Sequence, residues 1–323
     1  MSWEKEISEL KLRSELAEKM GGEEKVARQH EFGKLTIRER VDTFVDKSSV
    51  DKLSVDKSSF HEIGKLAGVA EYDDEGNLKA FTPSNFIFGT AEVNGRSVIV
   101  SGDDFTVRGG SADASIAGKR LQAEGLATEL QLPHIRLVDG MGGGGSVKTI
   151  ETAGRTYIPA VKGWETIVAH LAVAPSVSLA LGSVAGIGAA RVATSHYSLI
   201  VKDTAQMMIA GPALVDWASQ GDVTKEELGA SKIHTRNGAI DDEASSEQEA
   251  FEMAKRFLSF LPDNVHEIPS RTECNDPTDR QDDILLSVVP KDPRKVYKMR
   301  PVIETVVDKD SFFEIGRKWG RSI

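Results

Sequence analysis

VDKDSFFEIGRKWG, Val307–Gly320, repeats VDKSSFHEIGKLAG, Val55–Gly68, with nine of fourteen positions identical. Composition does not produce such a match by chance, so the chain states one structural unit and then begins a second. The register around the two copies is uneven. Thr305–Lys309 (TVVDK) answers Thr43–Lys47 (TFVDK), while Phe312 answers Phe60, and the two spacings differ by ten residues. Those ten are two pentapeptides, because Val45–Ser59 reads VDKSS, VDKLS, VDKSS. The early copy is therefore expected to carry a solvated ten-residue expansion, since surface insertions cost little closure entropy.

Between the copies the chain alternates strand and helix signals. Residues 1 to about 45 read as helix, with Thr36 in LTIRERVDTFV as the N-cap of its last part. Phe86–Val93 and Arg96–Ser101 flank Asn94-Gly95, a two-residue hairpin turn. Residues 112–130 read as helix, His134–Val138 as strand, Trp164–Val173 as helix and Val177–Leu181 as a buried strand. Ala189–Ser195 is helical and Ser198–Val201 is again a strand. This βαβ alternation predicts a layered α/β core. Past Leu228 the chain reads as an acidic loop, followed by a helix at Ser246–Leu261 that Pro262 ends. Residues 262–301 hold six of the eleven prolines and read as a linker.

The totals exclude several classes. A formal charge of −10 argues against general nucleic-acid binding, which needs a basic stripe to displace counterions. The single cysteine, Cys274, excludes a disulfide framework within the chain and fits a reducing, cytoplasmic setting. Met1–Met20 carries alternating charges in place of a secretory core, and the apolar run Leu171–Ala190 is broken by Pro175, serines and glycines. A soluble protein with no membrane span is expected. The seven histidines are scattered without HxxxH or HExxH spacing, so no metal is expected in this chain.

Two glycine-rich turns carry the candidate chemistry. Gly142–Gly145 follow the strand IRLVD, and Gly182–Gly188 (GSVAGIG) follow the strand at 177–181. Glycine lets backbone N–H groups approach a ligand oxygen, and two such turns can aim donors at one point as an oxyanion hole. The competing reading, tight turns for close packing, weighs equally for the pair. Arg108, Lys119, Arg120 and Lys148 are candidates for ligand phosphates, although most such side chains are solvated surface charge. His234 reads as a hydrogen-bonded structural histidine, and Asp103-Asp104 as a turn or structural pair.

The stretches GKLTIRERVDTFVD, SFHEIG and FTPSNFIFGTAEVNGRSVIVSGDDFTVRGGS resemble the carboxyltransferase (β) subunits of biotin-dependent acyl-CoA carboxylases of the propionyl-CoA and acetyl-CoA type. LGSVAGIGAARVATSHYSLIVKDTAQMMIAGPALV, LGASKIHTRNGAIDDEA and NDPTDR…LLSVVP are similar to further segments of that family. The resemblance runs from about Ile7 to Phe313 and implies a ClpP/crotonase-like layered α/β fold, with one complete domain and the start of a second tandem copy. It implies a CoA-side domain over residues 1–262, a linker over 263–300 and the opening of a second domain over 301–323. In the first copy the step from Val55 to Gly186 is longer than the chain that remains after Val307.

The resemblance further implies carboxyl transfer from carboxybiotin, held on a biotin carrier of a biotin carboxylase partner, to the α-carbon of a short acyl-CoA through an enolate. A homo-hexamer is the implied assembly. Backbone donors at Gly186 and Ile187 are the implied catalytic groups. Gly143, Gly144, Gly145, Ser146, Ala185, Lys119 and Arg108 are the implied substrate-binding residues. Two departures stand out: GGGGSVKTIE replaces the family's SGGARIQEG, and Ile187 replaces the second glycine of its G-G pair. A non-catalytic acyl-CoA-binding or assembly module and a crotonase-type decarboxylase are the alternative functions.

Overall fold

The computed structural model describes residues 2–48, 58–111, 116–140, 151, 154, 163–219, 221–271 and 273–320. The pentapeptide expansion lies mostly outside them, as does the Gly142–Gly145 turn with Ser146 and Lys148.

The N-terminal helical pattern resolves into three helices, α1 (Glu4–Glu18), α2 (Glu23–Glu31) and α3 (Ile37–Phe44). Glycines cause both breaks. Gly22 and Gly33 have φ of 92° and 68°, outside the helical basin and accessible to a residue without Cβ. Thr36 opens α3 with a reciprocal capping box: its hydroxyl accepts from the Glu39 N–H, and Glu39 accepts from the Thr36 N–H. The buried stripe of α3 is Ile37, Arg40, Val41 and Phe44, an apolar helical spacing with an arginine inside it.

Strands β1 (His61–Glu62), β2 (Gly68–Tyr72), β3 (Leu78–Pro83), β4 (Phe86–Val93) and β5 (Arg96–Asp103) follow. β4 and β5 form the expected hairpin, with Asn94 and Gly95 at φ 52° and 74° as the two-residue turn requires. Next come α4 (Ala117–Leu130), β6 (His134–Val138), α5 (Trp164–Leu171), β7 (Ser176–Ala180), β8 (Ser183–Ala185), α6 (Ile187–Ala193), β9 (Tyr197–Val201) and β10 (Gln206–Met208). The first long unit closes with α7 (Pro212–Ser219), α8 (Lys225–Gly229), α9 (Ser231–Asn237), β11 (Asp242–Ala244) and α10 (Glu247–Leu258).

The main sheet has seven strands in the order β1-β4-β5-β6-β7-β9-β11, antiparallel through β1, β4 and β5 and parallel from β5 onward. β8 and β10 form a small parallel pair, and β2 and β3 an antiparallel one. Every residue of β6, β7 and β9 is buried, the signature of parallel strands covered on both faces. One face is apolar and meets α3 and α10, where Phe44 packs edge-on to Phe251 and Tyr197 stacks on Phe257. The other face meets α4 and α6 and is unexpectedly polar. Arg136 donates through Nε and Nη2 to Glu124 at 3.0 and 2.7 Å, and again to Ser176 Oγ at 2.8 Å. His134 lies 3.1 Å from Glu124 through Nδ1 and 2.8 Å from Ser101 Oγ through Nε2. Ser101, His134 and Glu124 have the order of a hydrolase relay, yet all are sealed beneath α4, so they form a structural network.

Two expectations need correction here. The stretch after Leu228 is not an acidic loop, because it supplies α9 and the sheet strand β11, in which Asp242 accepts from the Tyr197 hydroxyl at 3.0 Å. The two copies of the opening repeat also differ in structure. In the first, His61–Glu62 pair with β4 and the Ile63 N–H donates to Phe88 O. In the second, Ser311–Gly320 contain no strand.

Contacts divide the chain into residues 1–268 with 316–323, and residues 269–315. In the first, Arg317 Nε reaches Asp242 at 3.2 Å, Lys318 pairs with Glu243, and Trp319 lies against Gly238. The described residues of the second include a short 3-10 turn and α11 (Met299–Val306), with Arg280 bonded to Asp276 and the Val307 carbonyl. Cys274, Asp276 and Asp308 present their ligand atoms within 4.8 Å of one another in this second unit. The Arg280 guanidinium already answers Asp276, so the cluster is charge-compensated.

Candidate functional site

Three chain segments converge at the carboxyl ends of β5, β6 and β7, and glycines make the convergence possible. A Cβ on Gly110 would lie 2.6 Å from the Asp139 carbonyl, one on Gly140 would lie 2.7 Å from the Gly110 carbonyl, and one on Gly188 would lie 2.9 Å from the Gly140 carbonyl. A Cβ on Gly182 would meet Asp139 Oδ1 at 2.0 Å. None of these distances admits a side chain, so the packing reading of the glycines holds for this junction. In open parallel sheets the crevice beyond the strand carboxyl ends is where ligands bind. An apolar cleft lined by Leu171, Pro175, His196 and Pro262 sits at the opposite, amino ends of the strands.

Asp139 holds the junction from below. Its buried carboxylate accepts from Arg40 Nη1 at 2.9 Å, Gln29 Nε2 at 3.1 Å and Lys34 Nζ at 3.1 Å. Arg40 also grips Glu247 through two bonds of 2.7 and 2.9 Å and donates to the Leu181 carbonyl beside Gly182. Two cations face two carboxylates, so the charge balances without solvent. Burial disfavours the Arg40 charge, but Asp139 and Glu247 outweigh it and hold its pKa above the ordinary value. Burial pulls Lys34 down, with only partial compensation from Asp139. Sequence reading passed over this network. The available signal was Arg40 standing within the apolar stripe of α3.

Gly186 forms the turn into α6 with φ 60° and ψ −122°, a conformation that glycine alone adopts readily. Its N–H donates to the Met208 carbonyl at 3.0 Å, so in this structure it is a sheet donor and not an open one. The Ala185 N–H points similarly inward, 3.4 Å from the Gly140 carbonyl. Ile187 begins the helix, whose first internal bond runs from Ala190 N–H to Gly186 O. Among the described residues, the Ile187 and Gly188 amides have no acceptor. The isoleucine at this family-glycine position costs nothing in backbone geometry, because it lies inside the helix.

The cationic candidates part company. Arg108 is exposed, on the short 3-10 turn that leads into Gly110. Lys119 and Arg120 are not solvated surface charges. Arg120 Nη2 bonds Asp103 at 2.7 Å beside the Phe86 ring. Lys119 is 5% exposed, with its Cε close to Gly64, and burial pushes its ammonium down to about 8 despite the pull of Glu62. Asp103 and Asp104 are structural as read: Asp104 accepts from the Thr106 N–H and hydroxyl, and burial raises its pKa. His234 Nε2 donates to the Met207 carbonyl at 2.6 Å, pinning α9 to β10. Gly143, Gly144, Gly145 and Ser146 lie outside the described residues.

No helix among the described residues is long and apolar enough to cross a membrane. Residues 28–323 match the carboxyl transferase domain family. The carboxyltransferase subunit of propionyl-CoA carboxylase from Haloferax mediterranei is 32% identical over 326 residues, covering 100% of this chain and 60% of that protein. The mitochondrial propionyl-CoA carboxylase beta chain of Rattus norvegicus is 32% identical, over 94% of this chain and 54% of that one. The hexameric transcarboxylase 12S structure with hydrolysed methylmalonyl-CoA bound superposes with a TM-score of 0.79 at 27% identity, covering 99% of this chain and 60% of the other. The chain thus spans somewhat over half the length of these relatives. With its crotonase-like α/β layering and this match across nearly its whole length, the chain belongs to the carboxyl transferase domain family.

Proposed function

We propose that this chain is the acyl-CoA side of a carboxyltransferase, acting on the α-carbon of a short acyl-CoA in a biotin-dependent acyl-CoA carboxylase. Residues 1–262 form the CoA-side domain in this reading, 263–300 the linker, and 301–323 the opening of a second copy of the fold. The observation that carries it is the amide of Ile187, at the carboxyl ends of the sheet, with no acceptor among the described residues. Removing the α-proton of a thioester places negative charge on the thioester oxygen, and a fixed N–H aimed there stabilises the enolate. Gly188 contributes a neighbouring amide. Gly186 supplies the backbone turn that presents both, its own N–H being held by Met208. Asp139, through Arg40 and the close approach to Gly182, keeps the turn from relaxing.

Biotin enters as the carboxyl donor on a partner carrier protein, and we assign it to none of the described residues. The partners are then a biotin carboxylase and carrier component, with further copies of this chain in a hexamer and a cytoplasmic setting. Gly143–Ser146, Ala185, Lys119 and Arg108 remain the substrate-side residues in this reading, with Lys119 acting from a buried position.

Ile187→Pro tests the donor directly. Proline at the first helical position is tolerated, because the N–H it removes has no intrahelical partner. In the assembled enzyme, carboxyl transfer to propionyl-CoA should fall on the order of 100–1000-fold, the usual cost of one oxyanion donor. Unchanged turnover in a variant with wild-type circular dichroism would rule the amide out.

A further inference from the structure

The two copies of the repeated motif differ at five positions, and three of these are consecutive: Lys65-Leu66-Ala67 in the first copy stands as Arg317-Lys318-Trp319 in the second. All three residues of the second copy reach the edge of the main sheet, within one compact unit of the chain. Arg317 Nε lies 3.2 Å from Asp242 Oδ1, and the Arg317 N–H donates to the same oxygen at 3.4 Å. Lys318 pairs with Glu243. The Trp319 indole lies over Gly238, the left-handed cap of α9, where a Cβ would stand 3.0 Å from the indole nitrogen. In the first copy Lys65 pairs instead with Glu18 of α1.

β11 is the last strand of its sheet and three residues long, and an edge strand leaves backbone groups open to another chain. Ser311–Gly320 contain no strand, so the segment covers this edge through its side chains. The cleft alongside, of about 480 Å³, is walled by Asp242, Glu243 and Glu249, with Lys202 the one cation that the rest of the wall contributes among the described residues. Arg317 and Lys318 add two more, which makes the wall three cations against three carboxylates. Asp242 is 3% exposed and also accepts from the Tyr197 hydroxyl, so it is held on β11 independently of the segment. The Arg317 and Lys318 side chains stay 45% and 39% exposed, so each ion pair is weak and screened by salt. A contact of this kind is reversible.

We infer that the β11–α9 edge is a docking site for an Arg-Lys-Trp segment, filled in cis by the second copy of the motif, and that it acts as a releasable latch on that copy, whether or not the chain performs carboxyl transfer. The site discriminates between the copies. A segment carrying Lys-Leu-Ala offers one cation where the edge presents Asp242 and Glu243, and no indole for Gly238. Tethered to the same chain, the second copy is at high effective concentration and excludes its own sequence offered in trans.

Arg317→Glu, Lys318→Glu and Trp319→Ala together alter exposed side chains and open the edge while leaving β11 intact. On this 323-residue variant a labelled peptide of residues 312–320 should bind saturably by fluorescence anisotropy, and added salt should weaken it. It should bind the variant at least about tenfold more tightly than it binds the parent, and about tenfold more tightly than the peptide of residues 60–68 binds the variant. Hydrogen exchange gives a second reading. Lys318→Glu and Glu243→Lys should each speed exchange across residues 312–320 by about threefold or more, and the double variant should restore the parent rate, with β4 and β5 unchanged throughout. No binding of residues 312–320, equal binding of the two peptides, or equal binding to parent and variant would overturn the latch. So would single variants that exchange at the parent rate, or a double variant that exchanges as fast as the singles.

Discussion

His170 offers a sharp test of the buried polar layer. It sits on α5 with no exposed surface, its ring edge-on to His134 at 5.9 Å. Among the described residues, neither of its ring nitrogens has a well-formed hydrogen-bond partner. Burial pushes its pKa down to about 4, with His134 and Arg136 adding to the effect, against 6.5 when free. The folded chain therefore holds fewer protons here than the unfolded chain between these two values, and stability must fall as pH drops through that window. At 1.36 kcal/mol per pH unit the full gap is worth about 3 kcal/mol, of which about 2 kcal/mol is already lost by pH 5. His170→Leu, of similar volume, removes the titration and leaves the remaining carboxylates and His134 in place. Urea unfolding of both proteins at about pH 7.5 and pH 5 should show the variant losing about 2 kcal/mol less than the parent on acidification. Parallel losses would show that His170 is hydrated or hydrogen-bonded, and would refute the reasoning.

Lys119 follows the same linkage with the sign worked for a base. Its folded pKa of about 8 lies below the ordinary 10.5, so its burial penalty is present at neutral pH and fades as pH rises between those values. Lys119→Met should stabilise the chain by about 2 kcal/mol near neutral pH, less above pH 9, and an unaltered profile in urea would contradict this. If Lys119 also serves the substrate, the same variant will weaken propionyl-CoA binding, which calorimetry reads independently. Asp139→Asn leaves Arg40 and Lys34 facing an uncharged amide in a sealed site. It should cost about 3–5 kcal/mol in urea unfolding, and a loss below about 1 kcal/mol would show the cations find other partners.

Much of this architecture was legible because local pattern encodes local structure. The β4–β5 hairpin follows from Asn94-Gly95, α3 from Thr36 and Glu39, and the parallel centre from His134–Val138, Ser176–Ala180 and Tyr197–Val201. The two glycine turns were legible as places where backbone can come close to something. What they come close to was not. Gly182 and Gly188 are pressed against Asp139 and Gly140, some forty residues earlier, and no window of sequence contains both. His134 and Arg136 alternate with Ile135 and Leu137 as in a half-exposed strand, yet Glu124 answers both, Ser176 accepts from Arg136, and the face is buried. β11 was missed for the same reason: Asp242 looks like loop chemistry until Tyr197 and Arg317 reach it. The repeated motif makes the limit plainest, since SFHEIG becomes an edge strand where β4 is available and SFFEIG contains no strand. Periodicity and turn chemistry are settled by neighbours a few residues away, so the sequence alone declares them. The burial of a polar group, the pairing of a strand and the freedom of an amide such as that of Ile187 depend on partners brought near only by folding.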